Sequence, residues 1–213
     1  MRKIDPRRHE LKRQEILAAA GRCFARDGFR GARVADICAA AHISPGHLYH
    51  YFDGKESIID AMAERNMARV VRRFAQMARQ TNTLRALSAG LGASRRGQRH
   101  RRTQLAVEIV AEASRNAAVA RILRAHVRGV RRLLAGYLRD GQRRGQIDPQ
   151  LDADLFSAMV LAVTQGLQCL SIMDPAFRGP QRNLLVQLLI VRLLAPQAQR
   201  GTPARATKGS SST

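Results

Sequence analysis

Apolar residues recur along this chain at spacings of three and four and never alternate by two over a sustained stretch, so the pattern predicts helices and no strands. In the first segment Ile16, Leu17, Ala20, Cys23 and Phe24 form one stripe on a helix over residues 9–27. Gly28 follows as a left-handed cap, with Phe29 placed to pack back on the last turn. A second helix over 33–41 turns Val34, Ile37, Cys38 and Ala41 inward. A third starts at Ser44-Pro45, where the Ser hydroxyl accepts from free backbone N–H groups and Pro suits the first helical position. Asp53-Gly54 ends it, and Lys55 opens a long helix over 55–80 with Ile59, Met62, Asn66, Val70, Phe74 and Met77 inward. At about 1.5 Å per residue that helix is long enough to bridge two units. Further helices are predicted over 84–91, 103–116, 119–144, 152–172 and 180–195, with turns at Gly145 to Pro149 and at Asp174 to Pro180. The fold expected is all-α, divided into residues 1–54, residues 55–195 and a disordered Ser/Thr/Gly/Pro-rich tail over 196–213.

The last two helices differ from the rest. Leu155, Phe156, Met159, Val160, Leu161, Val163, Leu167 and Leu170 cover nearly the whole circumference of one, and Leu184 to Leu194 do the same for the other. A helix apolar all round must be covered on all sides. A homodimer built on 152–172 and 180–195, with two-fold symmetry, covers the surplus faces; two central helices of a monomer is the alternative.

Composition narrows the class. With 45% hydrophobic residues in 213, the chain has enough apolar surface to fold, while its net charge of +21 makes a polyanionic partner plausible. The basic residues are 33 Arg and 4 Lys, a ratio that genomic base composition explains as readily as selection for charge. The basic start has no apolar stretch behind it, so no signal peptide is expected, and Leu184 to Ala195 is too short to span a bilayer. Cys23, Cys38 and Cys169 fit neither a disulfide framework nor a zinc knuckle and read as small apolar residues in a reducing cytoplasm. His42, His47 and His50 lack the carboxylate or thiolate that would complete a metal site, and Gly54-Lys55 lacks the Ser or Thr of a phosphate loop. No cofactor and no enzymatic activity are expected.

Residues 33–55 read RVADICAAAHISPGHLYHYFDGK. Two short helices joined at Ala41-His42-Ile43-Ser44, the second capped at its start, make a helix-turn-helix. The second is too short to be stable alone, so Leu48 and Phe52 must dock on the helices before it. That leaves Pro45, Gly46, His47, Tyr49, His50 and Tyr51 outward: hydrogen-bonding, aromatic and compact residues suited to a DNA major groove.

Residues 9–60 resemble the DNA-binding domain of the TetR family of transcriptional regulators. The resemblance rests on Phe24, Gly28, Phe29, the Val34/Ile37/Cys38/Ala41 helix, Ile43-Ser44, Gly46, Leu48-Tyr49, Phe52, Lys55-Glu56 and Ile59. It implies a repressor whose N-terminal three-helix domain reads double-stranded DNA and whose C-terminal helices bind a small effector and dimerise. It further implies that Tyr49 and His50 reach phosphates, that Gly46 and His47 approach base edges, and that Lys55 adds a backbone contact. Two positions depart from the family pattern. His42 stands where glycine is usual at the turn, and Arg33 stands where Thr is a frequent phosphate ligand, a contact arginine makes bidentately.

The charge is distributed less helpfully. Residues 1–55 carry 11 basic and 6 acidic side chains, so most of the excess lies beyond the reading head. The basic arm (Arg2, Lys3, Arg7, Arg8, Lys12, Arg13) reads either as a DNA-contacting arm or as a solvated terminus. The run Arg95, Arg96, Arg99, Arg101, Arg102 reads either as a solvated helix junction or as a second polyanion contact. A sequence-indifferent architectural DNA coater is the alternative such charge invites. For the effector, Glu108 and Glu112 lie one turn apart on an otherwise apolar helix, where a buried carboxylate would favour a cation unless Arg115, Arg101 or Arg102 neutralises it. Tyr137 and Gln165, with Phe74, Met77, His126 and Gln168, complete the candidate pocket. Nine aromatics and no Trp make an aromatic cage for a quaternary amine improbable.

Overall fold

Eight helices follow one another in the computed structural model, which describes residues 5–92, 96–174, 187–188 and 192–196. They are α1 (Pro6–Gly31), α2 (Val34–Ala41), α3 (Pro45–Tyr49), α4 (Lys55–Ala78), α5 (Thr83–Gly92), α6 (Arg96–Ala113), α7 (Ala117–Arg143) and α8 (Ala153–Met173). Among the described residues there is no strand, and the fold is all-α. The sharpest difference from the apolar pattern is the start of α6, seven residues before the expected 103. Its first turns are Arg-rich and follow helix propensity, to which an apolar stripe is blind. The side chains of 90–92 and 96–102, with the Arg95–Arg102 run, lie outside the described residues. So does most of the expected 180–195 helix, of which 187–188 and 192–194 are helical, and the tail from 197 onward.

α1 is two helical segments meeting at Gly28, whose φ of 72° and ψ of 171° break the helix. A side chain there meets two obstacles, the left-handed backbone and the Glu108 carboxylate 3.0 Å from where its Cβ would sit. The break turns Phe29 back onto Phe24, ring centroids 5.4 Å apart, and both are buried. Ile16, Leu17, Ala20, Cys23, Ile37, Cys38, Ala41, Leu48 and Phe52 form the core beneath. Ile58, Ile59 and Ala61 of α4 and Val119 of α7 belong to the same core, so apolar packing runs past residue 54 without a seam. Burial pushes the Cys23 and Cys38 thiols up, which suits small apolar fillers.

A second core lies at the far end of α4, where Met77 meets Leu87, Leu134, Leu138, Ile147, Phe156, Val160 and Leu194. α7 and α8 are joined by a short turn, each capped by an acceptor side chain. Asn116 Oδ1 accepts from Ala118 and Val119, and Asp152 Oδ1 from Asp154 and Leu155. By length and composition α8 would pass for a membrane span, yet it buries Phe156, Ser157 and Val160 in the bundle and pairs Asp154 with Arg139 of α7. Its outward stripe is Leu155, Met159, Val163, Leu170 and Met173.

Candidate nucleic-acid interface

Five residues are too few for a free-standing helix, so α3 exists because Leu48 and Phe52 are held in the first core at 0% and 4% exposure. Ser44 caps it, its hydroxyl oxygen accepting from the His47 N–H at 3.2 Å. The turn before it closes through His42, the one non-glycine residue with positive φ (53°) among the described residues. Histidine accepts that backbone where a β-branched residue would resist it. Arg22 of α1 donates to the Ala40 carbonyl at the end of α2 and closes the joint from below.

With Leu48 pinned inward, Ser44, Pro45, Gly46, His47, Tyr49 and His50 are all exposed on one short surface. A Cβ at Gly46 would touch nothing within 4 Å, so no neighbour in the chain requires glycine there, and the bare backbone leaves room for something to approach. Arg33 is exposed at the start of α2, where its backbone N–H donates to the Asp36 carboxylate at 2.9 Å and leaves the guanidinium pointing to solvent.

Lys55 is placed differently from what the resemblance implies. Its ammonium donates to the carbonyls of Phe29 at 2.6 Å, Ala32 at 3.1 Å and Arg30 at 3.5 Å, and lies 4.7 Å from the centre of the Phe29 ring. Three carbonyls occupy its three protons. Lys55 therefore ties the first residue of α4 to the end of α1 and is not a free cation for a phosphate.

His9, which lies outside the expected set, joins the surface through Tyr51, which lies within it. Tyr51 sits between His9 of α1, ring centroids 4.5 Å apart and stacked, and His47, 5.5 Å away. His50 lies edge-on to His47 at 6.4 Å. The sequence carries no signal for His9, which lies 42 residues before its partner; Tyr51 was visible only as one more outward aromatic. Within the basic arm, Lys12 pairs with Glu15, and Arg13 lies over the Phe52 ring and near Glu64, while Arg7 and Arg8 stay exposed. Arg2 and Lys3 lie outside the described residues.

The four candidate effector residues do not come together. α6 packs along α1, so Glu108 lies against Gly28 and Glu112 lies between Arg115 at 2.6 Å and Arg30 at 3.6 Å. Burial draws the Glu112 carboxyl upward, but the hydrogen bond and charge of Arg115, with Arg30 and Asn116, outweigh it and hold the pKa below the ordinary value. The Glu112 carboxylate is neutralised within the chain and is therefore no reason to expect a cationic effector. Tyr137 is far along α7, donating to the Thr83 carbonyl at 3.2 Å and edge-on to Phe74. Gln165 lies on α8 with an unpaired amide nitrogen. Among the described residues no group of three or more metal-ligating side chains forms.

Residues 16–62 match the family described as "Bacterial regulatory proteins, tetR family", and residues 85–195 match "BetI-type transcriptional repressor, C-terminal". The HTH-type transcriptional regulator UidR of Escherichia coli K12 is 32% identical over 155 residues, 73% of this chain and 79% of that one. The HTH-type transcriptional repressor AcnR of Corynebacterium glutamicum is 43% identical over 58 residues, 27% of this chain and 31% of that one. Among solved structures, Salmonella enterica GusR superposes with a TM-score of 0.74 at 27% identity, covering 91% of this chain and 99% of that one.

Proposed function

The chain belongs to the TetR family of bacterial transcriptional regulators, and from that premise we propose that each protomer places residues 44–51 in the major groove of one half of a palindromic operator. It is a ligand-responsive DNA-binding repressor of the kind its relatives are, and the family acts as dimers. A sequence-indifferent DNA coater has no support among the relatives, which are named as regulators and repressors.

The observation that supports the reading most is the outward face of α3, where capping and core packing use the backbone and Leu48 and leave Gly46, His47, Tyr49 and His50 turned to solvent. Gly46 and His47 meet base edges, Tyr49, His50 and Arg33 take phosphates, and Ser44 and Pro45 set the angle of entry. Lys55 acts mechanically. Through it, through Asn116 donating to Glu56 at 3.1 Å, and through the Arg30–Glu112 pair, the reading head moves with α4 and α6 as one piece. An effector that shifts α4 then respaces the two heads of a dimer, and effector and operator weaken each other reciprocally because both bias one equilibrium. The outward stripe of α8 forms the dimer face, together with residues 180–195. A cytoplasmic location follows from that function, and catalysis has no part in it.

The test is a binding titration against the gene's own upstream DNA and a scrambled duplex over several salt concentrations. A preference of about a thousandfold or more is expected to persist at physiological salt. His47→Ala should relax the base preference, whereas Arg33→Ala should weaken both duplexes alike and flatten the salt slope by about one. Equal effects of the two substitutions on both duplexes would refute the assignment of roles.

A further inference from the structure

The middle of α8 holds polar groups without partners. No charged residue lies between Asp154 and Asp174, and the hydroxyls of Ser157, Thr164 and Ser171 each donate back to a carbonyl of their own helix. The remaining polar side chains are Gln165 and Gln168, one turn apart. Gln165 Nε2 and Gln168 Oε1 are both sealed from solvent and make no hydrogen bond. On α7, His126 faces the same bundle interior, its Nε2 3.1 Å from the Asn66 amide of α4 and the Ala63 carbonyl beside its ring.

The helix register brings these groups to one level. α7 and α8 run antiparallel from the Arg139–Asp154 pair. His126 lies 13 residues back along α7 and Gln168 lies 14 residues forward along α8, about 20 Å in either case. A buried amide left unpaired has given up its hydration and gained nothing in exchange. Two such atoms one turn apart, level with the His126–Asn66 pair, are a cost that a bound molecule would relieve.

The chemistry of that molecule follows from what surrounds it. α8 supplies no charge at this level, and burial pushes His126 toward its neutral form, the Ala63 carbonyl offsetting this only in part. Arg69 on α4 already donates to Asn66 Oδ1 at 3.0 Å. Gln165 Nε2 needs an acceptor and Gln168 Oε1 needs a donor, and a hydroxyl or secondary amide offers both. Resting on the reading of this chain as a ligand-responsive regulator, we propose that its effector is a neutral molecule bearing hydroxyl or amide groups. It is held at mid-height of the C-terminal bundle by Gln165, Gln168 and the His126–Asn66 pair.

Thermal unfolding of the full chain tests this, with myo-inositol, methyl glucoside and N-methylacetamide as neutral probes. Sodium butyrate and tetramethylammonium chloride, at matched concentration, are the charged ones. A probe at ten times its Kd raises the midpoint by roughly 3–6 °C. At least one neutral probe is expected to do so in the wild type. In Gln165→Leu/Gln168→Leu that shift should vanish while the ligand-free midpoint rises, because the unpaired amides are gone. Gln168→Met, matched in volume, carries the same expectation should the double variant not fold. The proposal is overturned if only a charged probe discriminates wild type from variant, or if no probe does. It is also overturned if the variant loses ligand-free stability, which would mean the amides are satisfied by buried water. Operator preference is measured separately, so a chain that binds its operator but ignores neutral probes refutes the effector class and leaves the regulator reading standing.

Discussion

His9 shows how a residue without motif membership enters a site. Of the five residues of the recognition helix only Leu48 is buried, and it holds the helix from below together with Phe52 just beyond its end. The His9–Tyr51–His47 stack supplies a second point of attachment, from the first turns of α1. An aromatic pair contributes about 0.5–1.5 kcal/mol, so His9→Ala is expected to weaken operator binding about two- to tenfold with little change in the unfolding midpoint. His9→Phe, which keeps the stack, should restore most of the affinity. Operator binding by His9→Ala equal to that of the wild type would show that the stack positions nothing. Lys55 teaches the converse: a cation at a motif position is available to a phosphate only if the chain's own carbonyls do not claim it first.

At the scale of elements, the joint between α6 and α1 rests on a buried carboxylate. Glu112 is 2% exposed, while its partners Arg30 and Arg115 are largely in solvent and can rehydrate when it is removed. Glu112→Gln is therefore expected to lower stability by about 1–2 kcal/mol, less than breaking a fully enclosed pair. The pH dependence has a definite sign. The folded-state pKa lies below the ordinary 4.5, so Glu112 contributes stability above that value and loses it as pH falls through the folded one. Urea midpoints measured from pH 6 to about pH 3 should fall more steeply for the wild type than for Glu112→Gln. Parallel curves would mean that the pair contributes nothing to the joint.

For the whole molecule, the proposed assembly rests on the α8 stripe. Leu155 and Met173 are 69% and 79% exposed, with Met159, Val163 and Leu170 between them on the same side. Leu167, also apolar, is half-buried and so a poorer probe of the interface. Leu155→Asp/Val163→Asp is expected to convert the dimer to a monomer of 23.6 kDa by sedimentation and to reduce affinity for a full palindrome far more than for a single half-site. A variant that remains a soluble dimer would move the interface to another face.

What the sequence determined by itself is everything whose cause lies within a few residues. The periodicity of Ile16 to Phe24, the break at Gly28, the Ser44 cap and the anchoring of α3 by Leu48 and Phe52 depend on neighbours three or four positions away, and these were legible from the residues alone. The outward set Gly46, His47, Tyr49 and His50 followed as the complement of the buried one. What only the tertiary structure decided is which distant groups meet. Lys55 reaches carbonyls 23 to 26 residues back, Glu112 meets Arg30, Tyr51 meets His9, and His126 meets Asn66. Glu108 and Glu112 looked like pocket carboxylates because their own helix is apolar, and only the docking of α6 on α1 turned them toward the reading head. Local spacing sets which face of a helix is apolar; the helix that covers that face is chosen by packing of the whole chain, and the partner of every buried charge is chosen with it.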